Sequence, residues 1–436
     1  MTKSLTSLLD LNLKHVWHPC TQMKRYECYP PLIVKKASGS MIELHNGHKV
    51  IDAISSWWCK SLGHSHPQLK KALIEQLDAF EHVMLANMSH QTIIELSEKL
   101  ATLLPPLNKM FYASDGSCAV EAAMKMSLQQ RIISGDSKRC HFMALSSGYH
   151  GDTTGSLSVC DIEAFRAPYE KMLFKSHFIN DIPYVFTQND PLYDDCRIPF
   201  LAIEKQLQPY SDSTTALVLE PIVQGAGGMK IYSQDFLKRL RRWTKQHNIH
   251  LIADEIMTGI GRTGKMFASN HADIVPDFIC LSKGLTSGML PLSVVLTHDD
   301  IYNAFYSDDK GHAFLHSHTY SGNALATRVA LETLRIIESE ALCEKAQHIG
   351  QYMLEKMQSI AKITGKLKNV RGIGAIVAAD LVDQRFSIDT ICQRAITQGV
   401  LLRPLGNSLY WLPPLNISTE HLEKIVHTTQ KSLDMD

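Results

Sequence analysis

Apolar positions along this 436-residue chain recur at two spacings, and each spacing predicts a different element. Leu69, Leu73, Leu77 and Phe80 fall at helical intervals, as do Ile93, Leu96, Leu100 and Leu103. Ala119–Gln130, rich in Ala, Met and Glu, predicts a helix that begins after Ser117. Short apolar runs predict buried strands instead. Thr215–Leu219 is one such run, and a glycine-rich turn, Gly225–Gly228, follows it. Phe236, Leu240 and Trp243 then return at helical spacing before a second run, Ile249–Ala253. Strand, helix and strand in that order predict parallel pairing beneath a covering helix. Phe278–Leu281 and Leu292–Leu296 predict further strands, and Asn323–Glu338 predicts a helix. Towards the end of the chain, short strands at Gly374–Ala379 and Val400–Leu402 mix with helices, as in a smaller α+β unit. No segment repeats with the period of a solenoid or propeller. The centre is therefore predicted as a large α/β layer sandwich, with its chemistry at the carboxyl ends of the strands.

Composition narrows the function classes. The chain carries 44 basic and 44 acidic residues, so it lacks the positive excess that sequence-independent nucleic-acid binding or a polybasic membrane anchor requires. No apolar run approaches the ~18 residues of a membrane span. The first residues hold Asp10 within their leucine pattern and no arginine before Arg25, which predicts no signal or transit peptide. Ten cysteines without a C-x-x-C pair predict reduced, mostly buried thiols and a cytoplasmic protein. His64-Ser-His66 and His316-Ser-His318 lack a carboxylate or thiol at a supporting spacing, so no metal site is predicted.

Gly259-Ile-Gly-Arg-Thr-Gly264 satisfies G-x-G-x-x-G, but Asp254–Thr258 separates it from the preceding strand. The dinucleotide fingerprint needs its glycines to turn straight from strand to helix, and a phosphate loop needs a hydroxyl where Met266 stands. A tight turn is the better reading. More telling are Asp254 and Glu255, which end an apolar strand, and Lys283, two residues beyond the next one. Adjacent parallel strands would bring a carboxylate and an amine to the same sheet edge, ~5–10 Å apart. Lys283 by itself would pass for a solvated loop residue. Ser114-Asp-Gly-Ser117, however, opens a helix, whose free N–H groups favour phosphate. A phosphate cup, a strand-end acid and a strand-end lysine together suit pyridoxal phosphate.

The chain resembles the fold-type-I, class III aminotransferases along nearly its whole length. The matching stretches are Gly116–Glu121, Gly148–Asp152, Glu220–Gly228, Asp254-Glu255 with Gly261–Gly264, Ser282–Gly284 and His318–Asn323. Within that class, Ser55-Ser-Trp-Trp58, Arg403-Pro-Leu-Gly406 and Leu409–Pro414 look like the biotin-synthesis branch. The resemblance implies a large, mainly parallel-sheet α/β/α domain at residues 61–334. A smaller split α+β domain would be formed from residues 1–60 and 335–436. It further implies that Lys283 forms the internal aldimine, that Asp254 pairs with the pyridinium nitrogen, that Gly116 and Ser117 form the phosphate cup, and that Tyr149 lies on the cofactor ring. Thr319 would reach the phosphate from the partner subunit, so the sites would be shared within a homodimer. The implied reaction is ping-pong transfer of an amino group to 8-amino-7-oxononanoate, with S-adenosylmethionine as donor. The alternatives are another ω-amino acid substrate pair or lysine as donor.

Arg403 is the candidate grip for a substrate carboxylate, because its planar fork binds carboxylates through two bonds. Trp57 and Tyr410 are candidate substrate walls, although Trp57 and Trp58 would equally serve as core aromatics. Related ω-aminotransferases carry an arginine before the terminal Pro pair that balances a glutamate at the Glu220 position. Tyr410–Pro414 contains no arginine, which assigns Glu220 a structural or cofactor-side role. Two residues depart from the family pattern. Cys20 stands where a tyrosine is usual in Trp-His-Pro-Tyr, and Leu405 stands where an aromatic residue is common.

Overall fold

A seven-stranded sheet runs through the centre of the molecule in the order β4-β13-β12-β11-β8-β5-β6. Its strands are β4 (Lys109–Ala113), β5 (His141–Leu145), β6 (His177–Ile179), β8 (Thr214–Leu219), β11 (His250–Asp254), β12 (Phe278–Leu281) and β13 (Ser293–Thr297). A smaller sheet joins β1 (Val34–Ser38), β2 (Met41–Leu44), β3 (Lys49–Asp52) and β16 (Val400–Leu401). Two three-stranded sheets complete the set among the described residues. One contains β7 (Tyr184–Val185), β9 (Val223–Gln224) and β10 (Lys230–Tyr232), the other β14 (Leu367–Ile373), β15 (Ile376–Leu381) and β17 (Ser408–Trp411). This computed structural model describes residues 4–383 and 387–434.

The central sheet is covered on both faces, which is why its strands are apolar throughout rather than alternating. Successive side chains point to opposite faces. Ala216, Val218 and Ile252 therefore pack with Ala119, Val120 and Ala123 of the helix Gly116–Ile133. Leu217, Leu219 and Leu251 meet Phe236, Leu240 and Trp243 of the helix Gln234–Gln246. Burying each of these large side chains stabilises the fold by about 1.5–3 kcal/mol. The helix Ala324–Ser339 closes a third cluster over Ala253, Ile279 and Leu281.

β8, β11 and β12 are parallel neighbours, with Asp254 beside Cys280. β13 alone runs against the sheet, pairing antiparallel with both β12 and β4. The connection from Leu281 to Ser293 contains one short helical turn, Lys283–Thr286, and no crossover helix, so the chain re-enters from the edge it has just left.

Several boundaries differ from the periodicity. Between β8 and the helix Gln234–Gln246 the chain forms the antiparallel pair β9 and β10 around Gly225–Gly228. Gly374 sits in the turn before β15 with φ +49°, and a Cβ there would lie 2.2 Å from the Thr263 carbonyl carbon. Gly261 and Gly264 adopt φ of +84° and +88° in consecutive turns, and the next helical element is the single turn Ala268–His271. This is the geometry of a tight loop, not of a strand-to-helix phosphate cradle. The ten cysteines are free, but four rather than most of them are buried: Cys160, Cys196, Cys280 and Cys392. Cys20, Cys28 and Cys140 lie in exposed loops, where no apolar periodicity drew them inward. Among the described residues, no helix is long and apolar enough to cross a membrane.

Candidate active site

At the carboxyl edge of the central sheet lies a cavity of about 540 Å³, lined by Lys283, Asp254, Tyr149, His150, Glu220 and Trp58, among others. Asp254 is the last residue of β11, and Lys283 opens the turn that follows β12. The two strand-end groups thus share one space because their strands pair in register.

Asp254 is buried and fixed from two sides. Its Oδ2 accepts from His150 Nδ1 at 2.8 Å, and its Oδ1 accepts from the Ile256 backbone N–H at 3.1 Å. His150 Nε2 is buried and has no hydrogen-bond partner among the described residues. Glu220, just after β8, accepts from the Tyr149 N–H at 3.0 Å and the Gly225 N–H at 2.8 Å. Burial raises its pKa to about 7; His150 opposes that shift and the Asp254 charge adds to it. Burial lowers the Lys283 pKa, against the attraction of Asp254 and Glu220. Its ammonium lies 4.8 Å from the Trp58 ring centroid. The Lys283 backbone has φ +38°, a left-handed strain of the kind that concentrates at functional sites.

A second wall comes from the start of the helix Gly116–Ile133. Asp115 caps it, accepting from the Cys118 N–H at 3.1 Å. Gly116 is required by close approach, since a Cβ would meet Ile256 Cδ1 at 2.7 Å. Gly151, at φ +130°, faces Ser117, whose Oγ lies 2.6 Å from Thr153 Oγ1 and accepts from the Thr153 N–H. Two glycines and two hydroxyls thus leave room for an anion at a helix N-terminus. Tyr149 is half-buried at the same rim, 5.4 Å from the Phe165 ring. Burial, with Asp152 nearby, pushes its phenol pKa up.

The remaining predicted residues lie outside this cavity. The Arg403 guanidinium carbon lies over the Trp57 ring, 3.9 Å from its centroid, and Trp57 is 42 % exposed. Tyr410 is buried and accepts from Trp58 Nε1 at 3.1 Å, so it backs a cavity wall rather than lining it. Thr319 is exposed, and its carbonyl accepts from His82 Nε2. Within one chain, therefore, the cavity gathers Lys283, Asp254, Tyr149, Gly116 and Ser117 but not Thr319. Sequence reasoning passed over His150 and Thr153. The stretch Gly148–Asp152 carries the class III resemblance, but the loop that turns His150 onto Asp254 has no periodicity to read.

Fold and site together are those of a pyridoxal-phosphate-dependent transaminase. The family model of class III aminotransferases matches residues 22–433, and the chain belongs to that family. It is 39 % identical to the adenosylmethionine-8-amino-7-oxononanoate aminotransferase of Helicobacter pylori, covering 98 % of each chain. Against the protein of that name from Synechococcus elongatus it is 38 % identical, over 96 % of this chain and 98 % of the other. Among solved structures, the adenosylmethionine-8-amino-7-oxononanoate aminotransferase of Methanocaldococcus jannaschii superposes with a TM-score of 0.90 at 31 % identity, covering 99 % of each chain. A PLP-bound amine transaminase from an uncultivated Pseudomonas species gives 0.88 at 30 % identity, covering 96 % of this chain and 98 % of the other. The enzyme's cofactor is accordingly pyridoxal phosphate, and the cavity fits it. The fit rests on a lysine of lowered basicity, a buried carboxylate, and a helix start cleared by Gly116 and Gly151.

Proposed function

We propose that this enzyme transfers an amino group to 8-amino-7-oxononanoate, forming 7,8-diaminononanoate in biotin synthesis, with S-adenosylmethionine as the donor. The observation that carries the reading is the Arg403 guanidinium, stacked at 3.9 Å on Trp57, next in sequence to the cavity wall Trp58. An arginine held over an indole face can present its fork to a carboxylate, and aromatic faces suit the long aliphatic chain behind it. The relatives that carry this name over nearly full length support the same substrate pair.

In this reading Lys283 holds the cofactor, Asp254 faces its ring nitrogen, Tyr149 flanks the ring, and Gly116 and Ser117 take the phosphate. Bound there, the cofactor supplies an electron sink that makes a proton on the adjoining substrate carbon removable. Set free when the donor's amine takes its place, Lys283 Nζ would accept that proton and return it, its lowered basicity leaving more of the amine neutral than an exposed lysine would. Asp254 keeps its charge directed into the cavity through the bonds from His150 and Ile256. Donor and acceptor use the same space in turn, which gives ping-pong kinetics.

The reading also includes a homodimer in which Thr319 serves the partner's site. Its exposure and its absence from the lining of its own cavity support this. The division into a large unit, residues 61–334, and a small one from 1–60 and 335–436 is supported by the pairing of β16 with β3. A cytoplasmic setting completes it. One observation favours a different donor: Cys20 replaces a tyrosine, and it lies close enough to Tyr149 to add to the rise in its pKa. A half-reaction screen separates the cases. The cofactor's absorbance is followed with adenosylmethionine, lysine, ornithine and 4-aminobutyrate separately, and 8-amino-7-oxononanoate is then added. Adenosylmethionine alone should bleach the band and the acceptor restore it; bleaching by lysine but not adenosylmethionine would reassign the donor.

A further inference from the structure

Asp52 ends β3 with its side chain fully buried, at 0 % exposure, and neither the cavity nor the proposed chemistry uses it. Its carboxylate is the hub of the segment that follows. Oδ1 accepts from the backbone N–H of Ser56 at 2.9 Å and of Ile54 at 3.3 Å. Oδ2 accepts from Ser56 Oγ at 2.9 Å and from His64 Nε2 at 2.8 Å. These four bonds use the acceptor capacity of a carboxylate, which is how a buried charge is tolerated.

The held segment is unusual. Ser55, Ser56 and Trp58 have φ of +51°, +60° and +66°, left-handed values that non-glycine residues rarely adopt. The turn Ser55–Trp58 also leaves helical angles at Ser56 and Trp57. Such backbone persists only where surrounding bonds over-determine it. The strain sends the two tryptophans to different tasks. Trp58 lies 4.8 Å from the Lys283 ammonium and donates to Tyr410, while Trp57 lies under Arg403. β16 adds a second link. Leu401 pairs in parallel with Asp52, so Arg403 leaves its strand beside the strand end that launches the turn.

We propose that Asp52 is a positioning residue for the acceptor: through Ser56 and His64 it holds the strained turn whose Trp57 indole orients the Arg403 guanidinium. The inference rests on Arg403 being the carboxylate grip of the proposed function. Asp52 touches neither substrate nor cofactor in this account; it acts through Trp57. A lysine or glutamate could not replace it, since the site needs a short, buried acceptor reaching two N–H groups, a hydroxyl and an imidazole at once.

The test uses the cofactor-loaded enzyme labelled with 5-fluorotryptophan, in which five tryptophans give separate fluorine resonances. The Trp57 resonance is assigned from Trp57→Phe. Removing the stacked guanidinium in Arg403→Ala sets the shift that marks lost orientation. Asp52→Asn should move the Trp57 resonance in the same sense while the buried Trp243 and Trp411 resonances stay in place. It should also raise the acceptor KM about tenfold or more, with kcat and the donor KM changed by less than about threefold. Ser56→Ala removes only one of the four bonds and keeps the fold; it should give the same pattern at two- to fivefold in KM. In the Arg403→Ala background, neither change should raise the acceptor KM further. An unmoved Trp57 resonance in a folded Ser56→Ala or Asp52→Asn enzyme would overturn the proposal, as would an undiminished KM effect without Arg403. Failure of Arg403→Ala alone to affect the acceptor, with the Trp57 resonance still dependent on Asp52, would instead overturn the carboxylate assignment and leave Asp52 holding a wall of different use.

Discussion

Lys283 and Asp254 stand at the ends of adjacent strands in a seven-stranded sheet, whereas Arg403 and Trp57 come together from a two-residue strand pairing and one strained turn. The first pair inherits its geometry from strands buried on both faces. Few side-chain choices could shift it without unfolding the sheet. The second pair depends on one carboxylate, one stacked ring and a guanidinium that remains partly exposed. If the first pair is the catalytic centre and the second the recognition wall, as proposed, the two can change independently, which is how one fold serves many substrates.

The sharpest break of this comparison removes Lys283. Lys283→Ala should cut turnover by ~10⁴-fold or more and abolish the absorbance band that borohydride fixes in the native enzyme. Acceptor binding should survive, because the Arg403 wall does not depend on the amine. Arg403→Ala is the mirror case. It should weaken acceptor binding by about 2–5 kcal/mol, the cost of orphaning one member of a desolvated charge pair, with the donor half-reaction preserved. Acceptor kinetics identical to those of the native enzyme would refute the carboxylate role.

The scaffold of the first pair should also be the acid-sensitive one. His250 begins the strand that Asp254 ends, and burial, reinforced by Arg131, lowers its pKa to about 3 although Asp277 opposes this. Burial likewise lowers His271 to about 4, with Lys265 adding to the effect. An unfolded histidine titrates near ~6.5, so the unfolded chain binds these protons first. The stability the two rings contribute is complete above about pH 6.5 and is lost as pH falls towards 4, on the order of a few kcal/mol in sum. Calorimetric Tm measured from pH 7.5 to 4.5 should fall across that window, and His250→Gln should flatten the fall.

His150→Phe would sharpen the comparison from within the cavity. Leaving Asp254 Oδ2 without its imidazole partner should lower kcat about 10²-fold through misplacement, while the acceptor KM stays near native. A drop confined to KM would place His150 with the wall instead. The smallest effect is expected at the entrance. Cys20→Tyr should improve the donor KM by about 2–10-fold, the usual net worth of one added hydrogen bond, without altering the acceptor. An identical donor KM would show that the exposed position 20 does not meet the donor.

What could be read from the chain follows the same division. The strand-end placement of Asp254 and Lys283 was legible because buried parallel strands are continuous apolar runs, and Phe278–Leu281 has the bounds of β12. Gly116 and Ser117 were legible as a helix start, and the class III resemblance named the family that the family model shows. Less visible was anything decided by a loop meeting a distant segment. His150 reaches Asp254 across 104 positions, and the left-handed turn at Ser55–Trp58 has no glycine to announce it. Tyr410 is a candidate wall through the Leu409–Pro414 stretch that resembles the biotin-synthesis branch. Its strand instead buries it against β15, leaving only its hydroxyl to meet Trp58. The reversal at β13 is equally silent, since an apolar pentapeptide carries no sign of its direction.

The hydrogen bond from Trp58 to Tyr410 joins residues 352 positions apart, and the pairing of β3 with β16 spans a similar interval. During synthesis on the ribosome, β11, β12 and the lysine that follows them emerge well before β16 and β17 exist. On the proposed reading, a nascent chain has therefore made both strand-end groups of its reactive centre while Arg403, the proposed grip for the acceptor, is still untranslated. Translation of the segment from β16 onward is then the step that, on that reading, adds a choice of acceptor to a general amine chemistry.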